Sequence, residues 1–145
     1  MENDKISSFI ELKSHPNKLL EEHLKEVGEL SKEIVETKNI RNKQFLAEVA
    51  YLIGIAHDFG KATTFFQDKM HSGKETVYAR HSFISSLFCY YLIRRYFPNE
   101  NDRYRIYGWI VVARHHGNLR DIYPTEYKMC NDTNEKEILK KQIEN

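Results

Sequence analysis

Apolar positions recur along this chain at three- and four-residue steps almost throughout, the spacing of one face of a helix. From Asn17 to about Thr37, Leu19, His23, Val27, Leu30 and Ile34 form one stripe among Glu21, Glu22, Lys25, Glu26, Glu29, Lys32 and Glu33. That pattern predicts an amphipathic surface helix, with Pro16 suited to its start. A second helix is expected from about Asn42 to Phe59, with Phe45, Val49, Ile53 and His57 in register. Ala47, Ala50, Leu52, Ile55 and Ala56 fill its other sides, so it belongs at the centre of a bundle, and Gly60 reads as its end signal.

A short helix over about Thr63 to Met70 follows, then a turn at Ser72-Gly73. A long helix is expected from about Tyr78 to Phe97, closed by Pro98, and another from Asp102 to His116, closed by Gly117. A weaker amphipathic helix runs from Asn134 to Glu144 through Ile138, Leu139 and Ile143. No segment alternates as a strand does, and there is no repeat or linker. The expected fold is all-α, a helical bundle forming a single domain over residues 1–145.

Composition narrows the class. A chain of 145 residues, 41% hydrophobic and 12% aromatic, can bury one core but not two. Cys89 and Cys130 lie far apart and outside CxxC spacing, which removes disulfide scaffolds, thiolate zinc fingers and iron–sulfur clusters. The best membrane candidate, Phe83 to Ile93, is broken by Ser85 and Ser86 and stopped by Arg94-Arg95, and the N-terminus lacks a hydrophobic signal core. A cytoplasmic location is the expectation.

The formal net charge of +1 conceals an asymmetry. Residues 1–60 carry 8 Lys and Arg against 11 Asp and Glu, whereas residues 61–120 carry 10 against 4. Seven of the eight arginines, among them Arg80, Arg94, Arg95, Arg114 and Arg120, lie in that middle block. Arginine suits bidentate phosphate contacts, but on charge alone a solvated helical surface is the better explanation of such a block unless something else places phosphate nearby.

The histidines supply that something. His23 lies on the first stripe, His57-Asp58 ends the central helix, His81 opens the long helix, and His115-His116 closes the next. His15 and His71 sit in polar, loop-like context and need no special role. A lone histidine on an apolar face is ordinarily a satisfied core residue. Five of them with an aspartate, spread over four helices, would be costly to bury without partners. Metal coordination satisfies imidazoles, and a carboxylate between ligands can bridge two ions. An imidazole-rich set suits iron, manganese, cobalt, nickel or zinc better than magnesium, which prefers oxygen ligands; two divalent ions are expected, manganese, nickel, cobalt or iron ahead of zinc, with magnesium as a further option.

The order His23, then HDFGK (His57, Asp58, Lys61), then RHS (His81), then HHGNL (His115, His116) resembles the HD superfamily of metal-dependent phosphohydrolases. Within it, the sequence is most similar to the HD nuclease of type I CRISPR interference systems, which is fused to or works beside a helicase. The four blocks cover about residues 16–120. The resemblance implies one divalent ion held by His23, His57 and Asp58, with Asp58 bridging to a second held by His81, His115 and His116. It implies that Lys61 contacts a phosphate or the transition state, although a lysine after a helix end is otherwise a solvated one. Two such ions about 3.5–4 Å apart can hold a phosphodiester and stabilise the attacking and leaving oxygens together. The family's last metal-site aspartate comes from a later helix. Asp121 follows His116 too closely for that role and Asp132 lies in a polar, turn-like run, so a fragment or a minimal version is implied.

The activity implied is hydrolysis of phosphodiester bonds in single-stranded DNA, as an endonuclease or an exonuclease, in antiviral defence, with RNA as another substrate. The implied partners are a helicase subunit and an RNA-guided interference complex. No GxxxxGK[ST] pattern occurs, so ATP hydrolysis is not expected of this chain. Arg80, Arg114, Arg120 and Asn118 are the candidate nucleic-acid contacts, being adjacent in sequence to the ligands. The interleaved Tyr78, Tyr90, Tyr91, Tyr96, Tyr104, Tyr107 and Trp109 are either stacking platforms or core. Two rivals remain: an HD phosphohydrolase of nucleotides or cyclic nucleotides, and an inactive metal-binding helical module.

Overall fold

The computed structural model describes residues 11–117 and 130–144. Among the described residues the order is β1 (Lys13–His15), β2 (Lys18–Leu19), α1 (Leu20–Glu36), α2 (Lys43–Ala56), a 3-10 turn (Phe59–Ala62), α3 (Thr64–Ser72), a 3-10 turn (Val77–Ala79), α4 (Ser82–Tyr96), α5 (Asp102–Ala113) and α6 (Thr133–Ile143). The all-α expectation holds, with one correction. β1 and β2 form a small antiparallel hairpin where no strand was expected. Strands of three and two residues are too short to show alternation. Pro16 therefore sits in the hairpin turn with Asn17, not at a helix start.

Helix ends follow local chemistry. The Thr63 hydroxyl accepts from the Phe66 N–H at the start of α3, and Gly73 takes the left-handed conformation (φ 70°) that ends it. The Asn101 and Asp132 side chains cap α5 and α6 in the same manner as Thr63. Arg105 is buried and ion-paired with Asp102, and it donates to the carbonyls of Phe97, Pro98 and Glu100. It staples the α4–α5 connection and is no part of a phosphate surface.

Helix α2 is central as expected, packing on α1, α4 and α5. Val49, Leu52 and Ala56 of α2 form the core with Cys89 and Ile93 of α4 and Val112 of α5. The face that α1 buries differs from the expected stripe: Leu30 and Ile34 are 55% and 51% exposed. The buried positions are Leu20 and Gly28, with Leu24, Val27, Ser31 and Val35 half-buried beside them. The cause is a crossing in which backbones touch. A Cβ on Gly54 would lie 2.6 Å from the Gly28 Cα and 2.7 Å from the Val27 carbonyl oxygen. Small residues make that contact, so the stripe of large apolar residues points elsewhere. No helix of the described residues is long and apolar enough to cross a membrane.

Two measurements check this packing. Gly54→Ala is expected to cost about 1–3 kcal/mol, because backbone atoms cannot make room, and to lower the melting temperature; an unchanged melt would refute the close crossing. Burial pushes the Cys89 thiol up to about 12, while Cys130 is exposed. A thiol reagent at about pH 8, where Cys89 stays protonated, should therefore label only Cys130 in the folded protein and both after unfolding.

Candidate metal centre

Three junctions in the bundle deliver the ligands. The Gly28–Gly54 crossing brings α1 against the end of α2, so that His23 faces the residues after Ala56. Helix α2 ends there and not at Phe59: His57 is its capping residue, and Asp58 has left helical geometry (φ −114°, ψ 14°). At the second junction, a Cβ on Gly60 would lie 2.7 Å from the His81 carbonyl oxygen. The Gly60 N–H also donates to Ser85 Oγ at 2.8 Å. These contacts hold His81, the residue capping the start of α4 at Ser82, against the turn after Asp58. At the third, α5 stops at Ala113, three residues short of the expected end, and turns through Arg114 so that His115 and His116 project from its end.

Four of the five histidines meet on Asp58, which is 3% exposed, and the fifth, His116, meets His81. Its Oδ2 lies 3.1 Å from His23 Nε2 and 3.3 Å from His57 Nε2. Its Oδ1 lies 3.0 Å from His81 Nε2 and 3.1 Å from His115 Nε2. His116 Nε2 is 2.7 Å from His81 Nε2. The two carboxylate oxygens thus divide the imidazoles into two clusters, Asp58 with His23 and His57, and Asp58 with His81, His115 and His116. His15 and His71 belong to neither; His71 donates from Nδ1 to the Gln67 carbonyl at 2.7 Å.

The tautomers show what the cluster lacks. His57 Nδ1 lies 2.6 Å from the Gly54 carbonyl oxygen and His115 Nδ1 lies 2.6 Å from that of Val112. A carbonyl can only accept, so both Nδ1 atoms carry hydrogen. In a neutral ring the Nε2 lone pair then points at the carboxylate, which repels it. An Nε2 proton relieves that clash only by making the ring a cation beside four other imidazoles. A divalent cation between nitrogen and oxygen removes the conflict, and an imidazole fixed through Nδ1–H to a carbonyl is the usual support for a metal ligand. The donor set therefore fits a divalent metal.

Electrostatics agree. Burial works against ionisation of Asp58, but the polar groups gathered on it, His115, His57 and His81 together with the Lys61 ammonium, outweigh it and hold the carboxyl well below the usual carboxylate range. Burial, reinforced by the charge of neighbouring histidines, lowers the pKa of His23 and His116, which leaves their lone pairs available at neutral pH.

Lys61 is buried, 6% exposed, with Nζ 2.8 Å from Asp58 Oδ2 and 3.3 Å from the Ser14 carbonyl oxygen. It is not a solvated surface lysine. The hairpin supplies that carbonyl, and the buried Gln67 stitches the hairpin down, donating to Lys13 O at 2.9 Å and Lys61 O at 2.7 Å. Ser14, Gln67 and Ser85 are supporting residues that periodicity did not find. Arg80 is exposed and paired with Glu135 at 2.9 Å. Arg114 stands beside His115 and is half-buried, whereas Arg120, Asn118 and Asp121 lie outside the described residues. Asp132 caps α6 and is not grouped with the histidines. Tyr91, Tyr96 and Tyr107 are exposed, while Tyr104 packs on Phe45 in the core.

This helical bundle gathers five imidazoles around one buried carboxylate, a donor set that could hold divalent metal. Comparison of the sequence with known families names it: the HD domain matches residues 20–141, and the chain belongs to the HD domain family of metal-dependent phosphohydrolases. Members of that family bind divalent metals. No curated protein and no solved structure gave a significant match.

Metal should therefore stabilise the fold through these residues. At a free metal concentration about 100-fold above Kd, the expected gain is about 2.7 kcal/mol, read as a rise in melting temperature with manganese, cobalt or nickel. Asp58→Asn should abolish the rise and His71→Ala should preserve it; a rise that survives Asp58→Asn would place the metal elsewhere.

Proposed function

We propose that this chain is a metal-dependent nuclease that hydrolyses phosphodiester bonds of single-stranded DNA, with RNA as a second substrate, as type I CRISPR HD nucleases do. The observation that supports it best is the division of the Asp58 carboxylate, one oxygen toward His23 and His57 and the other toward His81 and His115. That arrangement suits two ions sharing one bridging carboxylate. The imidazole count favours transition metals over magnesium; manganese, nickel, cobalt or iron is proposed ahead of zinc, with magnesium as the further option. When bound, such a pair supplies Lewis acidity to the phosphoryl oxygens and charge stabilisation to the attacking and leaving oxygens.

The protein's own residues do the rest. The Gly54 and Val112 carbonyls fix the rings of His57 and His115 with Nε2 turned inward, so ligand orientation is set before substrate arrives. Lys61, held against Asp58, keeps that carboxylate ionised and brings a positive charge within the site. Arg80 and Arg114 flank His81 and His115 in sequence and are proposed to contact the nucleic-acid backbone, together with Asn118 and Arg120. A helicase subunit and an RNA-guided complex are the proposed partners, because such a complex displaces the single strand that this site would cut.

The test is cleavage of an end-labelled single-stranded oligonucleotide in manganese, nickel or cobalt, with EDTA and Asp58→Ala as controls. Metal-dependent cutting that falls on the order of 10³-fold in Asp58→Ala is expected. Hydrolysis of nucleotides or cyclic nucleotides with no cutting of DNA would make this a nucleotide phosphohydrolase. Bound metal with neither reaction would make it an inactive metal-binding module.

A further inference from the structure

A cavity of about 400 Å³ opens beside His81 and His116, walled by Phe66 and Phe83. It contains two cations, and each is already engaged by a carboxylate of the same chain. Lys69 Nζ lies 2.8 Å from Glu75 Oε1, and Arg80 Nη1 lies 2.9 Å from Glu135 Oε1. Two positive and two negative side chains leave the cavity neutral apart from its histidines.

The Arg80–Glu135 pair is built in by the fold. Glu135 lies in the first turn of α6, and α6 is docked on the segment leading to His81: the Gln142 amide donates to the carbonyls of Tyr78, at 2.8 Å, and Arg80. Gln142 is 5% exposed, so this anchor is shielded from water. The pair is nonetheless easy to part. The Arg80 side chain is 61% exposed, and an exposed ion pair contributes little. After Arg80 lets go, Glu135 keeps the stabilisation that a carboxylate finds at a helix N-terminus. A guanidinium held loosely by an internal carboxylate, next in sequence to a metal-site histidine, is poised to exchange that carboxylate for a phosphate.

We propose that this cavity is a subsite for a second phosphate of the substrate, adjacent to the one hydrolysed, with Arg80 as its ligand. Glu135 is an internal competitor that occupies Arg80 until the phosphate displaces it. The assignment rests on the phosphohydrolase reading of the metal centre and gives it a substrate preference. A substrate with consecutive phosphates, such as an oligonucleotide, can make the exchange, whereas a nucleoside monophosphate or a cyclic mononucleotide has no second phosphate with which to make it.

Fluorescence anisotropy of a fluorescein-labelled ten-nucleotide oligothymidylate, titrated with the full chain in EDTA, tests the exchange without turnover. Glu135→Gln should tighten binding about two- to fivefold, and Arg80→Gln should weaken it about tenfold. The decisive measurement is the double variant: once Arg80 is Gln, Glu135→Gln should leave the affinity unchanged. Equal tightening in both backgrounds would show only a general charge effect and overturn the subsite. So would unchanged or weaker binding by a Glu135→Gln variant whose melting temperature matches wild type, or the lack of saturable binding by all variants. The cleavage assay reports separately on the hydrolase reading. Active enzyme with uncoupled variants would lose only the subsite; coupled binding without turnover in any metal would lose only the hydrolase.

Discussion

One buried carboxylate organises this protein. Asp58 is almost wholly removed from water, and an isolated ionised carboxylate there would be prohibitively unfavourable. Its compensation comes from far along the chain: His23 lies 35 residues away and His115 lies 57. Four helices must therefore end or cross within hydrogen-bonding distance of one side chain. This requirement accounts for features that would otherwise look unrelated. Backbones touch at Gly28–Gly54, Gly60 presses on His81, and α2 and α5 both stop just before their histidines.

Polar side chains in the interior follow from the same requirement. Ser85 and Ser86, which interrupt the most apolar run of the sequence, are fully buried in α4. Ser85 receives the Gly60 N–H, and Ser86 donates to the Phe83 carbonyl. The interruption that argues against a membrane span is thus a support for the metal centre. Gln67 has a comparable part: by tying the hairpin to the Lys61 carbonyl, it brings the Ser14 carbonyl to the lysine that faces Asp58. A buried ammonium with both a carboxylate and a carbonyl partner is tolerable where an unpartnered one would not be.

The grouping of the candidate ligands was legible in the sequence because its signal is chemical: five imidazoles and a carboxylate at core-facing or helix-terminal positions need a common satisfier. The helices were legible because large apolar side chains recur with helical spacing. What periodicity missed is what it cannot encode. Leu30 and Ile34 looked inward because they are large, yet α1 meets α2 through Gly28, a residue with no side chain to register. The ends of α2, α4 and α5 were drawn through His57, His81 and His116 because those residues keep the spacing. The helices instead end or begin beside those residues, and the turns there gather the imidazoles around Asp58. Strands of two and three residues carry no period at all.

The arginine-rich middle block shows why composition alone could not assign a binding surface. Arg105 is spent on the carbonyls that end α4, and Arg80 is engaged by Glu135. A count of cations overstates the charge available to a ligand, because an engaged cation adds nothing to the distant field. It can still select at contact. Where cation and anion are paired in the resting site, an incoming phosphate gains only the difference between its own attraction for the guanidinium and that of the carboxylate it displaces. Such a site discriminates by geometry and by the number of phosphates presented, and it gives up the long-range attraction that would gather every polyanion. For a metal centre able to attack phosphate esters, a weak general attraction and a strong requirement for the correct arrangement are compatible with one near-neutral chain.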